Sequence, residues 1–228
     1  MHLQQLHEAR FVDRRAAGRQ LAQAVAELDL VNPIVLALPR GGVPVAVEVA
    51  LALRAPLDLI LVRKIGVPEQ PELACAALVE GDPPRRVRNE EVIAAARVST
   101  SALEKATERE HREITRRRTA YLGNRVQIPV EGRTVIVVDD GIATGTCIRA
   151  ALLALRGRHP ARLVLAVPVA PAEIIAELAA VVDDVVCLAT PSHFQAIGLH
   201  YQDFHQLEDE EVTQGLAAVD AALRPGAA

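Results

Sequence analysis

The chain of 228 residues is poor in aromatic side chains, which make up 2% of it, and it contains no tryptophan. Its core must therefore be built mainly from aliphatic residues. They are available in sufficient number, because 50% of the sequence is hydrophobic. This length and hydrophobicity predict a single domain over residues 1–228, large enough to bury a substantial core.

Cysteine is also scarce. The three cysteines, Cys75, Cys147 and Cys187, are odd in number and far apart in the sequence. This pattern matches neither a disulfide framework nor the ligand spacing of a zinc site. We therefore expect reduced, buried thiols in a cytoplasmic protein.

Long apolar runs and an excess of positive charge are both missing. No run approaches the roughly 20 apolar residues that cross a bilayer, and residues 1–19 are too polar for a secretory leader. The formal net charge of −4 argues against a general nucleic-acid or anionic membrane surface. A local basic pocket for a phosphorylated ligand remains compatible with this charge.

The most informative stretch is Thr134–Cys147, TVIVVDDGIATGTC. It opens with Val135–Val138, a β-branched run typical of a strand buried on both faces in a parallel sheet. Asp139 and Asp140 follow at the carboxyl end of that strand. A turn of small residues then leads into a helix that begins near Thr146.

Such a loop leaves amide groups unpaired at a helix N-terminus, where an anion, above all phosphate, is favoured. Thr144 and Thr146 add hydroxyl donors. The two carboxylates suit sugar hydroxyls or a hydrated Mg²⁺. Phosphate on one side and a diol on the other describe a ribose 5-phosphate. The alternative is a plain turn with an acidic cap, but two adjacent carboxylates at a crowded strand end need partners.

The segment Val135–Thr146 resembles the phosphoribosyl-diphosphate (PRPP) binding signature of the type I phosphoribosyltransferases. The resemblance implies an α/β fold, with a mainly parallel central sheet flanked by helices, a helical insertion and a small C-terminal hood. It implies that Asp139 and Asp140 bind the ribose hydroxyls. It assigns the 5′-phosphate to the residues of the following loop: Gly141, Ala143, Thr144, Gly145, Thr146 and Cys147.

An earlier segment repeats this pattern. Ile34–Leu38 is a predicted buried strand, and Pro39-Arg40-Gly41-Gly42 leads from it into a predicted helix over Val43–Arg54. By itself this loop could equally be a structural turn. The resemblance places Arg40, Gly41 and Gly42 in the diphosphate-binding loop of the family.

A further predicted strand, Leu57–Val62, ends at two cations, Arg63 and Lys64. The carboxyl ends of strands form the ligand-bearing edge of an open α/β sheet. A solvated strand end is the alternative interpretation. The resemblance favours diphosphate contacts for Lys64, and a catalytic role in stabilising the leaving group for Arg40, Arg63 and Lys64.

Two other regions are predicted to be peripheral to the sheet. The resemblance implies an insertion over residues from about 66 to 130, with the mobile flap of the family at Gly66–Arg88. Before the first core strand, Arg14–Leu28 is predicted to be an amphipathic helix, with Asp13 as its N-cap and Leu21 on its apolar face.

The hood and C-terminal helix are placed at about 190–225. The stretch 190–206 concentrates the rare aromatic residues, among them Phe194 and Tyr201. These rings could stack on a planar base, or they could form a satellite cluster that holds the C-terminal helix. The stretch also resembles the end of a bacterial subgroup of uncharacterised phosphoribosyltransferases, through Phe194, Ala196, Ile197, Gly198, Tyr201, Asp203 and Phe204. That subgroup often has tryptophan where this chain has His200.

The resemblance implies transfer of a 5-phosphoribosyl group from PRPP to a nucleobase-like acceptor, with release of diphosphate. Mg²⁺ would be held through PRPP and water, with no direct protein ligand, and a homodimer is implied by analogy. One alternative is a non-catalytic PRPP-sensing protein of the same fold. Another is a hydrolase of a phosphorylated sugar, which no Ser/Cys-His spacing supports. Cys147 could have a lowered pKa at a helix start, or it could be a small packing residue.

Overall fold

The computed structural model describes residues 2–3, 10–68, 70–81 and 83–224. Within these ranges the α-helices are α1 (Arg14–Ala26), α2 (Gly42–Leu53), α3 (Glu90–Ala95), α4 (Thr100–Leu122), α5 (Thr146–Arg156), α6 (Ala172–Ala179) and α7 (Asp209–Leu223). The strands are β1 (His2–Leu3), β2 (Pro33–Ala37), β3 (Leu57–Leu59), β4 (Val62–Val67), β5 (Gln70–Val79), β6 (Arg85–Arg88), β7 (Thr134–Val138), β8 (Arg162–Val169) and β9 (Asp184–Ala189). A 3₁₀ turn covers Ile197–His200.

The main sheet has the strand order β1-β9-β8-β7-β2-β3, and its pairs are parallel. The predicted α/β class with a mainly parallel central sheet is therefore confirmed. Its strands are continuous apolar runs because helices cover both faces and leave no solvated side.

Alternate side chains of β7 supply the two halves of the core. Ile136 and Val138 pack in the cluster that contains residues of α1, α2 and α7. Val135 and Val137 pack on the other face with residues of α5 and α6. All four side chains are fully buried, and each contributes on the order of 1.5–3 kcal/mol to folding.

The strand order reverses between β2 and β7. From β2 the chain moves outward to β3, whereas from β7 it moves in the opposite direction through β8 to β9. The helix after β2 covers one face and the helix after β7 covers the other. In open α/β sheets such a switch point opens a crevice at the carboxyl ends of the strands, where ligands bind.

One predicted strand is wrong. The run Leu57–Val62 does not form a single strand: β3 ends at Leu59 in the main sheet, and β4 begins at Val62 in a second, antiparallel sheet of β4, β5 and β6. Leu61 donates its amide to the buried Glu80 carboxylate, 3.0 Å away, where the chain passes between the sheets. Apolar residues continue without interruption through Ile60, Leu61 and Val62, so the sequence pattern did not mark this break.

The helix α1 begins as predicted, because the Asp13 carboxylate accepts a 2.6 Å hydrogen bond from the Ala16 amide. Helix α1 then packs closely against α2 at Gly18. A Cβ atom at residue 18 would lie 2.8 Å from the Val45 carbonyl oxygen and 3.0 Å from the Val45 Cα. The absence of a side chain at Gly18 thus sets the separation of the two helices.

We expect Gly18→Ala to destabilise the protein by about 1–2 kcal/mol. Overpacking against backbone costs about 1–3 kcal/mol, and the helix propensity of alanine returns only about 0.5–1 kcal/mol. Urea unfolding measures the difference. Gln20→Ala, at an exposed position of the same helix, serves as the control and should change stability by less than about 0.5 kcal/mol. A neutral or stabilising Gly18→Ala would contradict the close packing.

Candidate functional site at the switch point

The loops after β2 and β7 lie side by side because their strands are paired. Ala37 is in register with Val138, and the Leu38 amide donates to the Val138 carbonyl at 3.0 Å. The glycines of the first loop permit contact with the second. A Cβ on Gly41 would overlap the Asp140 carboxylate, and one on Gly42 would lie 2.7 Å from the Val138 carbonyl oxygen. The two glycine-rich segments singled out from the sequence therefore form one site.

The two carboxylates of the acid pair have different surroundings. Asp140 is 7% exposed, and its Oδ2 accepts a 2.8 Å hydrogen bond from Arg14 Nε. Asp139 is half-buried, and its Oδ1 accepts the amide of Asp140 at 2.9 Å. Asp140 is thus held by an ion pair, whereas Asp139 has no side-chain cation within salt-bridge distance in the part of the chain that the structure describes.

Burial raises the pKa of Asp139 well above its ordinary value, and the neighbouring charge of Asp140 raises it further. Burial likewise raises the pKa of Asp140, although the hydrogen bond and charge of Arg14 oppose that shift. Desolvation disfavours the charged form of a carboxyl group, and an adjacent cation favours it. Raised pKa values at a sheet edge mark this acid pair as a candidate site.

The loop after the acid pair presents unpaired amides. Ile142 donates its N–H to the Val169 carbonyl at 2.9 Å, but the amides of residues 143–146 find no acceptor among the residues that the structure describes. Ala143, Thr144 and Thr146 are exposed there. Gly145 has φ of +73° and forms the N-cap of α5. The loop therefore offers amides, hydroxyls and a helix N-terminus, the groups that favour an anion.

The half-buried Cys147 lies in the first turn of α5. Burial raises the pKa of its thiol, and the charge of Asp139 adds to the shift. A thiolate at neutral pH is thus disfavoured, which fits the packing role and not the activated nucleophile.

The predicted cations are not all where the sequence placed them. Arg40 lies in the loop beside Asp140, and its Nη1 is 3.5 Å from Asp209 and 3.9 Å from Glu208, at the start of α7. Arg63 and Lys64 lie inside β4 and not at the end of a main-sheet strand, which corrects that expectation. Arg63 forms a 2.9 Å ion pair with Glu110 of α4, and the Lys64 side chain is exposed.

The aromatic hood also differs from its expected arrangement. Tyr201 is 2% exposed, packs against the rings of Phe11 and Phe204, and donates its hydroxyl to the Asp140 carbonyl at 2.5 Å. Its ring therefore does not present a stacking face, and the satellite-cluster alternative describes it better. Phe194 is half-buried and stacks on His200 with ring centres 5.4 Å apart.

Sequence reasoning missed Arg14. A signal was available, because Arg14 is in phase with Ala17 and Leu21 on the apolar face of the predicted helix. A charged residue at such a position requires a buried partner. The partner is Asp140, which lies 126 residues further along the chain. Its identity could not be predicted from the sequence.

A cavity of about 620 Å³ opens on the far side of the anion loop. Thr144, Gly145 and Thr146 line one end of it, and the remaining walls come from β5, β6, the start of α3, α5 and α6. The acid pair and Arg40 do not line this cavity. The chemically distinctive residues instead lie along the open edge of the sheet.

Among residues 2–3, 10–68, 70–81 and 83–224, no cluster of three or more His, Cys, Asp or Glu side chains could hold a metal ion. No helix within the same ranges combines the length and apolar character needed to cross a bilayer.

Comparison with known proteins gives a family match. The family model described as "Phosphoribosyl transferase domain" matches residues 11–203. The chain is 44% identical over 225 residues to the Mycobacterium tuberculosis protein named "Putative phosphoribosyl transferase Rv0571c". That match covers 94% of this chain and 50% of the relative, so the chain spans about half the length of the curated relatives it matches.

A solved structure is also similar. The crystal structure of the protein TT1426 from Thermus thermophilus matches with a TM-score of 0.80 and 42% sequence identity. The match covers 92% of this chain and 98% of TT1426. The similarity therefore extends over nearly the whole of both chains.

We expect Asp139→Asn to raise the melting temperature (Tm) at pH 7. The raised folded-state pKa means that the folded protein binds more protons than the unfolded chain above the ordinary value of 3.8, so this carboxylate lowers stability as pH rises. An asparagine side chain does not titrate, and its oxygen can still accept the hydrogen bond from the Asp140 amide. A gain on the order of 1 kcal/mol corresponds to about 2–4 °C for a domain of this size.

Differential scanning calorimetry at several pH values measures the effect. The gain should shrink towards zero as pH falls below about 4, where both states of the wild type are protonated. Asp140→Asn is the matched comparison and should lower Tm, because it leaves the buried Arg14 without its counter-charge. A Tm gain that is independent of pH would contradict this assignment.

Proposed function

This chain belongs to the phosphoribosyl transferase family, and we propose that it transfers a 5-phosphoribosyl group from PRPP to a nitrogenous base with release of diphosphate. One observation carries the proposal. The acid pair and the loop of unpaired amides follow one another after β7, beside the glycine loop at the end of β2, at the switch point of the sheet. Carboxylates that accept from hydroxyls and amides that donate to phosphate fit a ribose 5-phosphate.

In the proposed complex, the 5′-phosphate lies against the amides and hydroxyls of residues 143–146 at the N-terminus of α5. The half-buried carboxylate of Asp139 accepts from a ribose hydroxyl, with Asp140 beside it. The diphosphate lies over the loop Arg40–Gly42. Arg40 is suited to this role because its present partners, Asp209 and Glu208, are 3.5 and 3.9 Å away, at the outer limit of ion pairing.

The transfer step forms a bond between the anomeric carbon and a base nitrogen, and it breaks the bond from that carbon to the diphosphate oxygen. The electron pair leaves with diphosphate, and the proton of the base nitrogen passes to the departing diphosphate or to water. Positive charge develops on the sugar and negative charge on the leaving group, so the protein contributes positioning and electrostatic stabilisation. Arg40 would stabilise the leaving charge, with Arg63 and Lys64 on β4 as further cations, whose charges act on Cys147 at the start of α5.

Mg²⁺ fits this site through its ligand chemistry. Carboxylate oxygens are suitable outer partners for an ion that keeps several of its waters, and Asp139 and Asp140 would hold it through water while the phosphates of PRPP bind it directly. When bound, the ion neutralises charge on the diphosphate.

The acceptor side is less defined. Phe194, which is half-buried, and Phe204, which is 36% exposed, offer aromatic surface near the sheet edge, whereas Tyr201 does not. The antiparallel β4–β6 sheet contains the predicted flap Gly66–Arg88, which would exclude water when it closes. Flap closure and a homodimer both stay predictions.

The proposal is tested by incubating the protein with PRPP, Mg²⁺ and a panel of nucleobases while diphosphate release is followed. Base-dependent release supports transfer. PRPP binding by calorimetry without release under any acceptor supports the sensing alternative. No PRPP binding at all contradicts both.

Arg40→Gln is expected to weaken PRPP binding about tenfold, equivalent to about 1.4 kcal/mol, because a charge-assisted contact to diphosphate is lost. Ribose 5-phosphate lacks the diphosphate, and its affinity should change less than about twofold. Isothermal titration calorimetry measures both ligands. Arg19→Gln, with an exposed side chain 3.9 Å from Glu48, is the control for the charge change. Equal losses for both ligands would count against the leaving-group role.

A further inference from the structure

Arg14 makes three contacts that link distant parts of the chain. Its Nε donates to Asp140 Oδ2 at 2.8 Å, and its Nη1 donates to the His205 carbonyl at 2.9 Å. Its guanidinium carbon lies 3.8 Å from the centre of the Phe204 ring. One side chain therefore connects the start of α1, the acid pair and the segment 200–205, which we call the hood strand.

The burial of this contact is unusual for a surface helix. The side chains of Arg14 and Asp140 are 9% and 10% exposed. Removing a guanidinium from water costs free energy unless the group is paired and hydrogen-bonded. The buried position of Arg14 is therefore favourable only while Asp140 is its partner. A lysine could not reproduce it, because an ammonium lacks the planar fork that bonds two acceptors and stacks on a ring.

Asp140 is fixed from other directions as well. The absence of a side chain at Gly41 leaves room for its carboxylate, and Tyr201 of the hood strand donates to its carbonyl. Phe11 pairs with the same strand, since its amide donates to the His200 carbonyl at 2.8 Å and its carbonyl accepts from the Gln202 amide at 2.8 Å. Within the described ranges, Arg14 is the only cation in salt-bridge contact with the acid pair.

We propose that Arg14 is a positioning residue of the sugar-phosphate site, which fixes Asp140 and holds the hood strand against the end of β7. The inference rests on the proposed function and adds a division of roles within the acid pair. Asp140, with Oδ2 occupied by Arg14, anchors the site. Asp139, whose Oδ1 accepts only a backbone amide in the described residues, offers its second oxygen to a ligand hydroxyl.

Arg14 also opposes protonation of the acid pair. The charged and titratable groups around Asp140 are Arg14 from α1, Asp139 on the same strand end and Tyr201 from the hood strand. Around Asp139 the groups are Asp140, Arg14 and Cys147, and the charges of Arg63 and Lys64 also reach Cys147. Removing Arg14 therefore raises the pH above which the pair is fully charged and able to accept hydrogen bonds.

The test compares Arg14→Gln, Arg14→Lys and the matched control Arg15→Gln by calorimetric titration with PRPP and Mg²⁺, and separately with pyrophosphate and Mg²⁺. Arg15 is on the same helix but 56% exposed, with Glu48 as its partner. We expect Arg14→Gln to weaken PRPP binding about 10- to 100-fold and pyrophosphate binding less than about twofold, because pyrophosphate has no hydroxyls for the acid pair and would meet it only through the waters of Mg²⁺. Arg14→Lys should recover part of the loss, and Arg15→Gln should match the wild type.

The pH profile gives a second readout that loss of packing alone would not move. The acidic limb of PRPP affinity should lie at higher pH in Arg14→Gln than in Arg14→Lys or the wild type. If circular dichroism shows that Arg14→Gln does not fold, Arg14→Lys replaces it. The affinities of Arg14→Lys for PRPP and pyrophosphate are then compared in the same way, with a smaller expected loss for PRPP.

The outcomes separate the two proposals. If the wild type binds no PRPP, the proposed function is overturned and this inference with it. If the wild type binds PRPP but the Arg14 variants bind it equally well, only the inference is overturned. Equal losses of affinity for PRPP and pyrophosphate, or an unchanged pH profile in a folded Arg14→Gln, would mean that Arg14 acts only in packing. Either result would overturn the inference as well.

Discussion

The parallel pairing of β2 with β7 is the constraint on which the site depends. Because the strands are in register and their helices cover opposite faces, the loops that follow them must leave the same edge side by side. Gly41 and Gly42 then allow the two loops to touch. Backbone hydrogen bonds between the two strands thus bring together residues about 100 positions apart in the chain. This proximity does not depend on the side chains of the loops.

A small number of ion pairs neutralises charged side chains at this edge of the sheet. Asp140 is neutralised by Arg14, and Arg40 lies near Asp209 and Glu208. Asp139 is left half-buried with a raised pKa, which costs stability in the absence of a ligand. Binding sites commonly retain such unfavourable groups because a ligand supplies the missing hydrogen bonds. The same residues therefore explain both a local loss of stability and a capacity to bind hydroxyls.

Much of the site was predictable because its signal is local. The run Val135–Val138, the acid pair and the small-residue loop are contiguous, and strand, turn and helix start each have a short-range signature. The position of Arg63 was not predictable, because the break between β3 and β4 depends on Glu80, a residue almost 20 positions further along. Tyr201 was misplaced for a related reason. Its aromatic character was visible, but its burial depends on Phe11, Phe204 and the Asp140 carbonyl, which come from separate parts of the chain.

The sequence by itself determined the α/β class, the positions of the principal core strands along the chain and the small-residue loop after Asp139 and Asp140, since apolar periodicity and turn chemistry act over a few residues. The resemblance of that loop to a known signature led to the family to which the chain belongs. Only the tertiary structure decided how the two carboxylates differ. That difference arises from the partner each one meets: Arg14 lies 126 residues away from Asp140, and contacts at such separation depend on how the layers pack and not on any local pattern.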